Sequence, residues 1–196
     1  MLTINEKKVL RMLFAAFEDY SINQVARRCG LAPNGALKML KKFEKGGILK
    51  ANKVANIKSY SLNFENEKTK SILELVLIPE LKGRLKFRLE DLGQLKNTTD
   101  ACILFGSYAD LKKEPNDMDI LVMLNKKNFK AYKEQSTAVF KTIPIKVHDI
   151  LQTEEDFKEN LRKKDKTIIE ILKTGIILWG YKKIIDLIEN EHQRQA

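Results

Sequence analysis

The feature that most constrains this chain is the run from Phe105 to Leu124, FGSYADLKKEPNDMDILVML. A short apolar strand, Ala101–Phe105, stops at Gly106-Ser107, and after a nine-residue spacer Asp117 and Asp119 stand at the head of a second apolar run. Alternate residues of a strand share a face, so these carboxylates project together, about 6–7 Å apart along the backbone. Met118, Ile120 and Val122 then project the other way, into a core. Two carboxylates on one rigid strand offer the oxygen ligands that divalent cations favour. Gly106 lets the backbone approach a ligand closely, and the Ser107 hydroxyl with nearby amides suits phosphate oxygens.

The Gly-Ser pair, the spacing and the Asp-x-Asp strand resemble the signature of the polymerase-beta nucleotidyltransferase superfamily, particularly its minimal members. The resemblance implies that Gly106 and Ser107 seat a nucleoside triphosphate, with ATP the expected substrate. It also implies that Asp117 and Asp119 hold Mg2+ or Mn2+ and are the catalytic pair. Two positions depart from the family pattern: Asp110 stands where small members often carry Arg, and Asn116 where they carry Ser. The family's third carboxylate belongs on a later strand, expected over Ile143–Ile150, IPIKVHDI. In that register Lys146 occupies the acidic position, Asp149 has the opposite parity, and His148 shares the face of Lys146 as a substitute ligand or base.

The N-terminal third reads differently. Asn5 to Phe17 has helical period, with Val9, Leu10, Leu13, Phe14 and Phe17 as its apolar stripe. Ser21 is a suitable N-cap for a second helix, Gly30 breaks it, and Pro33 opens a third helix running to about Lys45. That helix buries Ala36, Leu37, Leu40 and Phe43 and sets Asn34, Lys38, Lys41 and Lys45 on the opposite face. Gly46-Gly47 ends it, and a hairpin follows: Ile48–Ala51, a polar tip from Asn52 to Asn56, then Ile57–Leu62. This order is similar to a winged helix-turn-helix DNA-binding domain. The resemblance implies that the third helix enters the major groove, with Arg27, Arg28, Lys53 and Lys58 on the phosphate backbone.

Charge agrees with that reading. The chain carries 36 Lys+Arg and 26 Asp+Glu, a net +10, but residues 1–63 hold 12 basic and 4 acidic groups, so most of the excess sits in one small module. At 196 residues and 43% hydrophobic content the chain is large enough for two small cores. It has no run approaching the roughly 20 apolar residues that cross a bilayer. The N-terminus lacks the apolar region of a signal peptide, and Cys29 and Cys102 fall in different expected domains, so a cytoplasmic protein without disulfides is expected.

The expected architecture is α+β. A winged helix-turn-helix domain (1–64) and two connecting helices (65–97, split at Pro79) precede a nucleotidyltransferase fold (98–196) with a small mixed sheet flanked by helices. The connecting helix Glu67–Ile78 is apolar over a wide arc and must be covered; a homodimer is the expected cover, with packing within the chain as the alternative. Thr153-Glu154-Glu155-Asp156 reads as a capping box, and the tail gives a helix, a short strand ending at Trp179-Gly180, and a last helix. Trp179 is expected in the core and His192 exposed.

The resemblances together, an arrangement associated with archaeal proteins, imply transfer of a nucleoside monophosphate from a nucleoside triphosphate to an acceptor hydroxyl. The alternative is a catalytically impaired fold acting as a DNA-binding regulator, or as an antitoxin-like partner of a small toxin.

Overall fold

The computed structural model describes every residue except 1, 17, 55, 81, 82, 111–114 and 196, and the side chains of 54 and 195 are likewise not described. Phe17 of the expected stripe, Ala55 of the hairpin tip, Lys82 at the expected start of a helix, and Lys112-Lys113-Glu114 of the spacer therefore lie outside the described residues. The chain divides into two compact units, Met1–Leu77 and Ile78–Gln195.

The first unit is built on helices α1 (Ile4–Phe14), α2 (Ile22–Cys29), α3 (Pro33–Lys45) and α4 (Glu67–Leu77), with strands β1 (Tyr20–Ser21), β2 (Leu49–Val54) and β3 (Ile57–Leu62). Capping boxes start two of the helices: Thr3 with Glu6 on α1, and Ser21 with Gln24 on α2. Each gives two orphan amides a partner. Gly30 ends α2 at φ +61°, the left-handed conformation that glycine adopts at least cost. Val9, Leu10, Leu13 and Phe14 of α1 meet Val25 and Ala26 of α2 and Ala36, Leu40 and Phe43 of α3 in the buried interior. Leu37, expected in that core, is only half-buried.

The hairpin is longer than its polar composition suggests. β2 and β3 pair antiparallel as far as Val54↔Ile57, so most of the expected tip is ladder. β1 adds a third strand through Tyr20↔Tyr60 and Ser21↔Ser59, giving the order β1-β3-β2. In α4, Leu73, Val76 and Leu77 are buried and the helix packs on α1, while Leu75 stays 64% exposed.

The second unit opens with α5 (Arg84–Leu92) and a 3-10 turn (Gly93–Asn97). There follow β4 (Ala101–Phe105), the single turn α6 (Gly106–Ala109), β5 (Asp117–Met123), α7 (Phe129–Thr142), β6 (Lys146–Gln152), α8 (Glu154–Arg162), α9 (Lys166–Thr174), β7 (Ile176–Trp179) and α10 (Tyr181–Gln195). The sheet is mixed, in the order β6-β5-β4-β7, with β5 and β6 parallel and the other pairs antiparallel. A parallel pair needs a long crossover, and α7 supplies it.

Both faces of the sheet carry apolar packing, the second only over part of its area. Cys102, Leu104, Met118, Ile120 and Val122 form one apolar cluster with Leu85, Leu92, Tyr132 and Val139 from α5 and α7, and with Trp179. On the opposite face Ile103, Leu121 and Met123 are buried, and α9 comes so close that a Cβ on Gly175 would lie 2.7 Å from Ile103 Cγ2. The Trp179 indole donates to Thr99 Oγ1 at 3.1 Å, which settles it as a core residue with its one polar atom satisfied. His192 is half-buried on α10, not exposed as expected, because α10 turns its flank against α8. Cys29 and Cys102 are free, buried thiols, one in each unit. No helix among the described residues is long and apolar enough to cross a membrane.

Candidate active site

The alternation of β5 places the site. Met118, Ile120 and Val122 face the α5–α7 core and are fully buried, whereas Asp117 and Asp119 face the other side and are half-buried. From Leu121 onward that second face is covered, and only its first two positions open to solvent. β4 ends against β5 at Phe105↔Asp119, so the chain turning at Gly106 passes directly over the Asp119 side chain. Gly106 has φ +68°, and a Cβ there would collide with Asp119 Oδ2. Glycine is thus required twice, for its left-handed backbone and for the close approach. Ser107 follows in the first turn of α6, so the expected seat residues and the expected carboxylates meet at one end of the sheet.

Arg84 holds this turn. The Arg84 guanidinium lies 4.9 Å from the centroid of the Tyr108 ring. The same side chain donates through Nη2 to the Tyr108 carbonyl at 3.3 Å and the Asp110 carbonyl at 2.8 Å. Arg84 thereby closes the C-terminal end of α6, where carbonyls lack helical partners. Sequence reasoning missed this role, since nothing marks one basic residue of α5 as the partner of a turn 24 positions onward.

The parallel register between β5 and β6 pairs Asp117 with Lys146 and Asp119 with His148. Lys146 stands where the sequence places it, on the carboxylate face and exposed. It is His148, however, whose ring reaches the pair: Nδ1 lies 3.3 Å from Asp119 Oδ1 and 3.7 Å from Asp117 Oδ2. Asp149 faces the other way, as its parity requires, and accepts a hydrogen bond from the Tyr132 hydroxyl at 2.9 Å. Lys133 Nζ lies 3.3 Å from the same carboxylate. Burial first, then the neighbouring Asp149 charge, pushes the Tyr132 phenol well above its ordinary pKa, so the hydroxyl keeps the proton it donates. That bond anchors β6 on the face opposite His148.

Asp117, Asp119 and His148 each offer one ligand atom, all within 4.8 Å of one another, and they form the one such group of three or more among the described residues. By class, this is a group of ligand atoms that could hold a metal ion, beside a glycine turn on a mixed sheet. Residues 88–184, from α5 to the first turns of α10, match the family model described as polymerase beta, nucleotidyltransferase. The second unit therefore carries a nucleotidyltransferase-like domain. No curated protein and no solved structure matches the chain.

The remaining expected residues lie in the first unit. Asn34, Lys38, Lys41 and Lys45 are exposed along one side of α3, and Arg27 and Arg28 are exposed at the end of α2. Arg28 stacks over the Tyr20 ring at 4.7 Å. Lys53 and Lys58 face each other across the hairpin ladder. Lys58 is engaged by Glu44 at 2.9 Å, which offsets part of its charge. Lys42, on the flank of the same helix, bonds Glu6 at 2.6 Å and holds that carboxyl below its ordinary range, tying α3 to α1.

Gly106→Ala tests the turn. The left-handed backbone costs an alanine roughly 1–2 kcal/mol, and Asp119 must rotate away to make room. The expected result is a modest fall in Tm with at least a tenfold loss of divalent-metal affinity, of the size seen when a ligand's support is removed. Unchanged affinity in a metal titration removes the close approach from the account.

Proposed function

We propose that the second unit is a metal-dependent nucleotidyltransferase. In this reading it transfers a nucleoside monophosphate from a nucleoside triphosphate, ATP first among the candidates, to an acceptor hydroxyl with release of pyrophosphate. The observation that carries it is the convergence of Gly106, Ser107, Asp117 and Asp119 at the open end of one sheet face. Asp117 and Asp119 hold the divalent cation, Mg2+ or Mn2+, whose charge stabilises the attacking and leaving oxygens. Gly106 brings backbone amides close to the triphosphate, and the Ser107 hydroxyl binds a phosphate oxygen. Arg84 keeps that turn in place. The sheet, packed behind β5 by Met118, Ile120 and Val122, holds the carboxylates rigid, and rate enhancement of this kind rests on positioning and charge.

In this proposal the first unit is a winged helix-turn-helix that binds DNA. Asn34, Lys38, Lys41 and Lys45 of α3 enter the major groove, and Arg27, Arg28, Lys53 and Lys58 contact phosphates. The basic excess of residues 1–63 and the shared exposed side of the α3 residues support it. Log affinity for duplex DNA is expected to fall with log salt with a slope of about −0.9 per phosphate neutralised. Lys38→Ala and Lys41→Ala each then flatten the slope by about one contact, read by fluorescence anisotropy between low and physiological salt. A slope that neither variant changes takes α3 out of the interface.

Lys146 favours a second reading. A cation stands across the ladder from Asp117, and a carboxylate to act as base on the acceptor hydroxyl is missing from that side of β6. The fold would then bind nucleotide and regulate DNA binding without turnover. Incubation with α-labelled ATP and Mn2+ separates the two. Labelled acceptor with equimolar pyrophosphate supports the enzyme, and saturable nucleotide binding without pyrophosphate supports the regulator.

A further inference from the structure

We propose that His148 is the third protein ligand of the cation site, and that it turns the site's preference from Mg2+ toward borderline divalent ions such as Co2+ and Zn2+. The inference deepens the reading of Asp117 and Asp119 as a metal pair and rests on it.

The geometry comes first. Octahedral bonds of about 2.1 Å place neighbouring ligand atoms about 3 Å apart. The His148 Nδ1 atom already lies 3.3 Å from Asp119 Oδ1 and 3.7 Å from Asp117 Oδ2. A cation drawing the three atoms together needs only small side-chain rotations. Nδ1 must be unprotonated to ligate, which leaves the proton on Nε2.

The backbone makes this arrangement specific to His148. The parallel register sets it beside Asp119, and the Tyr132–Asp149 bond on the reverse face opposes rotation of the strand. Lys146, on the same face opposite Asp117, has no lone pair to offer while charged, so β6 supplies one ligand and that ligand is an imidazole.

The chemistry then sets selectivity. Mg2+ demands oxygen ligands and near-ideal octahedral geometry, and a site with two carboxylates in place of three attracts it less. An imidazole bonds later first-row metals far better than it bonds magnesium.

Calorimetric titration of the full chain with CoCl2 and with MgCl2 is the test, together with proton NMR of the Co2+ form. The expected preference for Co2+ is about 100-fold or more, and the Co2+ spectrum should carry hyperfine-shifted imidazole resonances. His148→Asp, which gives Mg2+ a third oxygen, should lower the Co2+/Mg2+ affinity ratio by about tenfold or more and abolish those resonances. The chain has one other histidine, His192, and His192→Ala should leave both readouts unchanged.

Absence of shifted imidazole resonances in the unmutated Co2+ form overturns the proposal, and so does a ratio that His148→Asp does not move. Failure to bind Co2+ at millimolar concentration overturns it as well. Imidazole-ligated Co2+ without any nucleotide transfer would sink the enzymatic reading and leave this one standing. Mg2+-supported transfer with an unaltered ratio would do the reverse.

Discussion

Asp117→Asn and Asp119→Asn should each lower pyrophosphate release from labelled ATP by about 10^2–10^3-fold, the loss typical when one charge-stabilising group leaves a preorganised site. The amide keeps the shape of the side chain and removes the charge, so packing around β5 is little disturbed. Met118, Ile120 and Val122 still fill the core on the reverse face. The two acids are half-buried and sit with their oxygens close together. Removing one charge relieves repulsion in the metal-free protein, so Tm should stay level or rise. Sites built for function commonly trade stability in this way. The pairing of lost transfer with retained or raised Tm is the diagnostic result. Asp119→Asn is expected to be the more damaging change, because Asp119 lies beneath Gly106 and nearer to His148 than Asp117 does. Transfer that survives both substitutions would remove these residues from the chemistry.

Why the shared facing of Asp117 and Asp119 could be anticipated from sequence is visible in β5 itself. A period of two separates Asp117 and Asp119 from Met118, Ile120 and Val122, and burial obeys that period, so face assignment needed no tertiary information. The helix ends were equally local: Ser21 with Gln24, Thr153 with Asp156, Gly30 at positive φ, and Pro33 in the first turn of α3. In the Thr153 box, the amide and hydroxyl of Thr153 bond Asp156 and hold that carboxyl below its ordinary range. These signals act within four residues and survive whatever packs around them.

What sequence left open depends on partners far along the chain. Parity placed Lys146 and His148 on one face, but which of them reaches the acids depends on the parallel register, set across the whole of α7. Arg84 closing the Gly-Ser turn is of the same kind. β1 is two residues long, too short for any period, and exists because β3 offers it a free edge. The hairpin tip looked like a loop because Asn52 and Lys53 are polar. Both faces of that ladder end are exposed, so polarity there says nothing about pairing. The two helices expected as a connector are apolar on one side each, and an apolar side does not name the core it joins. α4 packs on α1, whereas Leu85 and Leu92 of α5 enter the sheet's cluster.

The largest expected loss of stability comes from Gly180→Ala. Gly180 follows β7 at φ +82°, and a Cβ there would stand 2.5 Å from the Asp100 carbonyl oxygen and 2.6 Å from Ala101 Cα. These are backbone atoms at the start of β4, the strand that delivers Gly106 to the site. Unlike the Asp119 carboxylate beneath Gly106, they cannot swing aside. Relief requires β7 and β4 to part, and the two are joined through Cys102↔Trp179, with the indole bonded to Thr99. Positive-φ strain of roughly 1–2 kcal/mol adds to overpacking of typically 1–3 kcal/mol, so a loss of about 3 kcal/mol is expected. For a unit of this size that is a fall in Tm of about 10 °C or more. Gly93→Ala is the matched control, since its added methyl meets nothing within 4 Å and its backbone is helical. It should be neutral or slightly stabilising. Denaturant midpoints for the two variants measure the difference directly. Equal midpoints would mean that the close approach of β7 to the start of β4 is not a feature of the folded protein, and the alignment of β4 that brings Gly106 over Asp119 would lose its anchor.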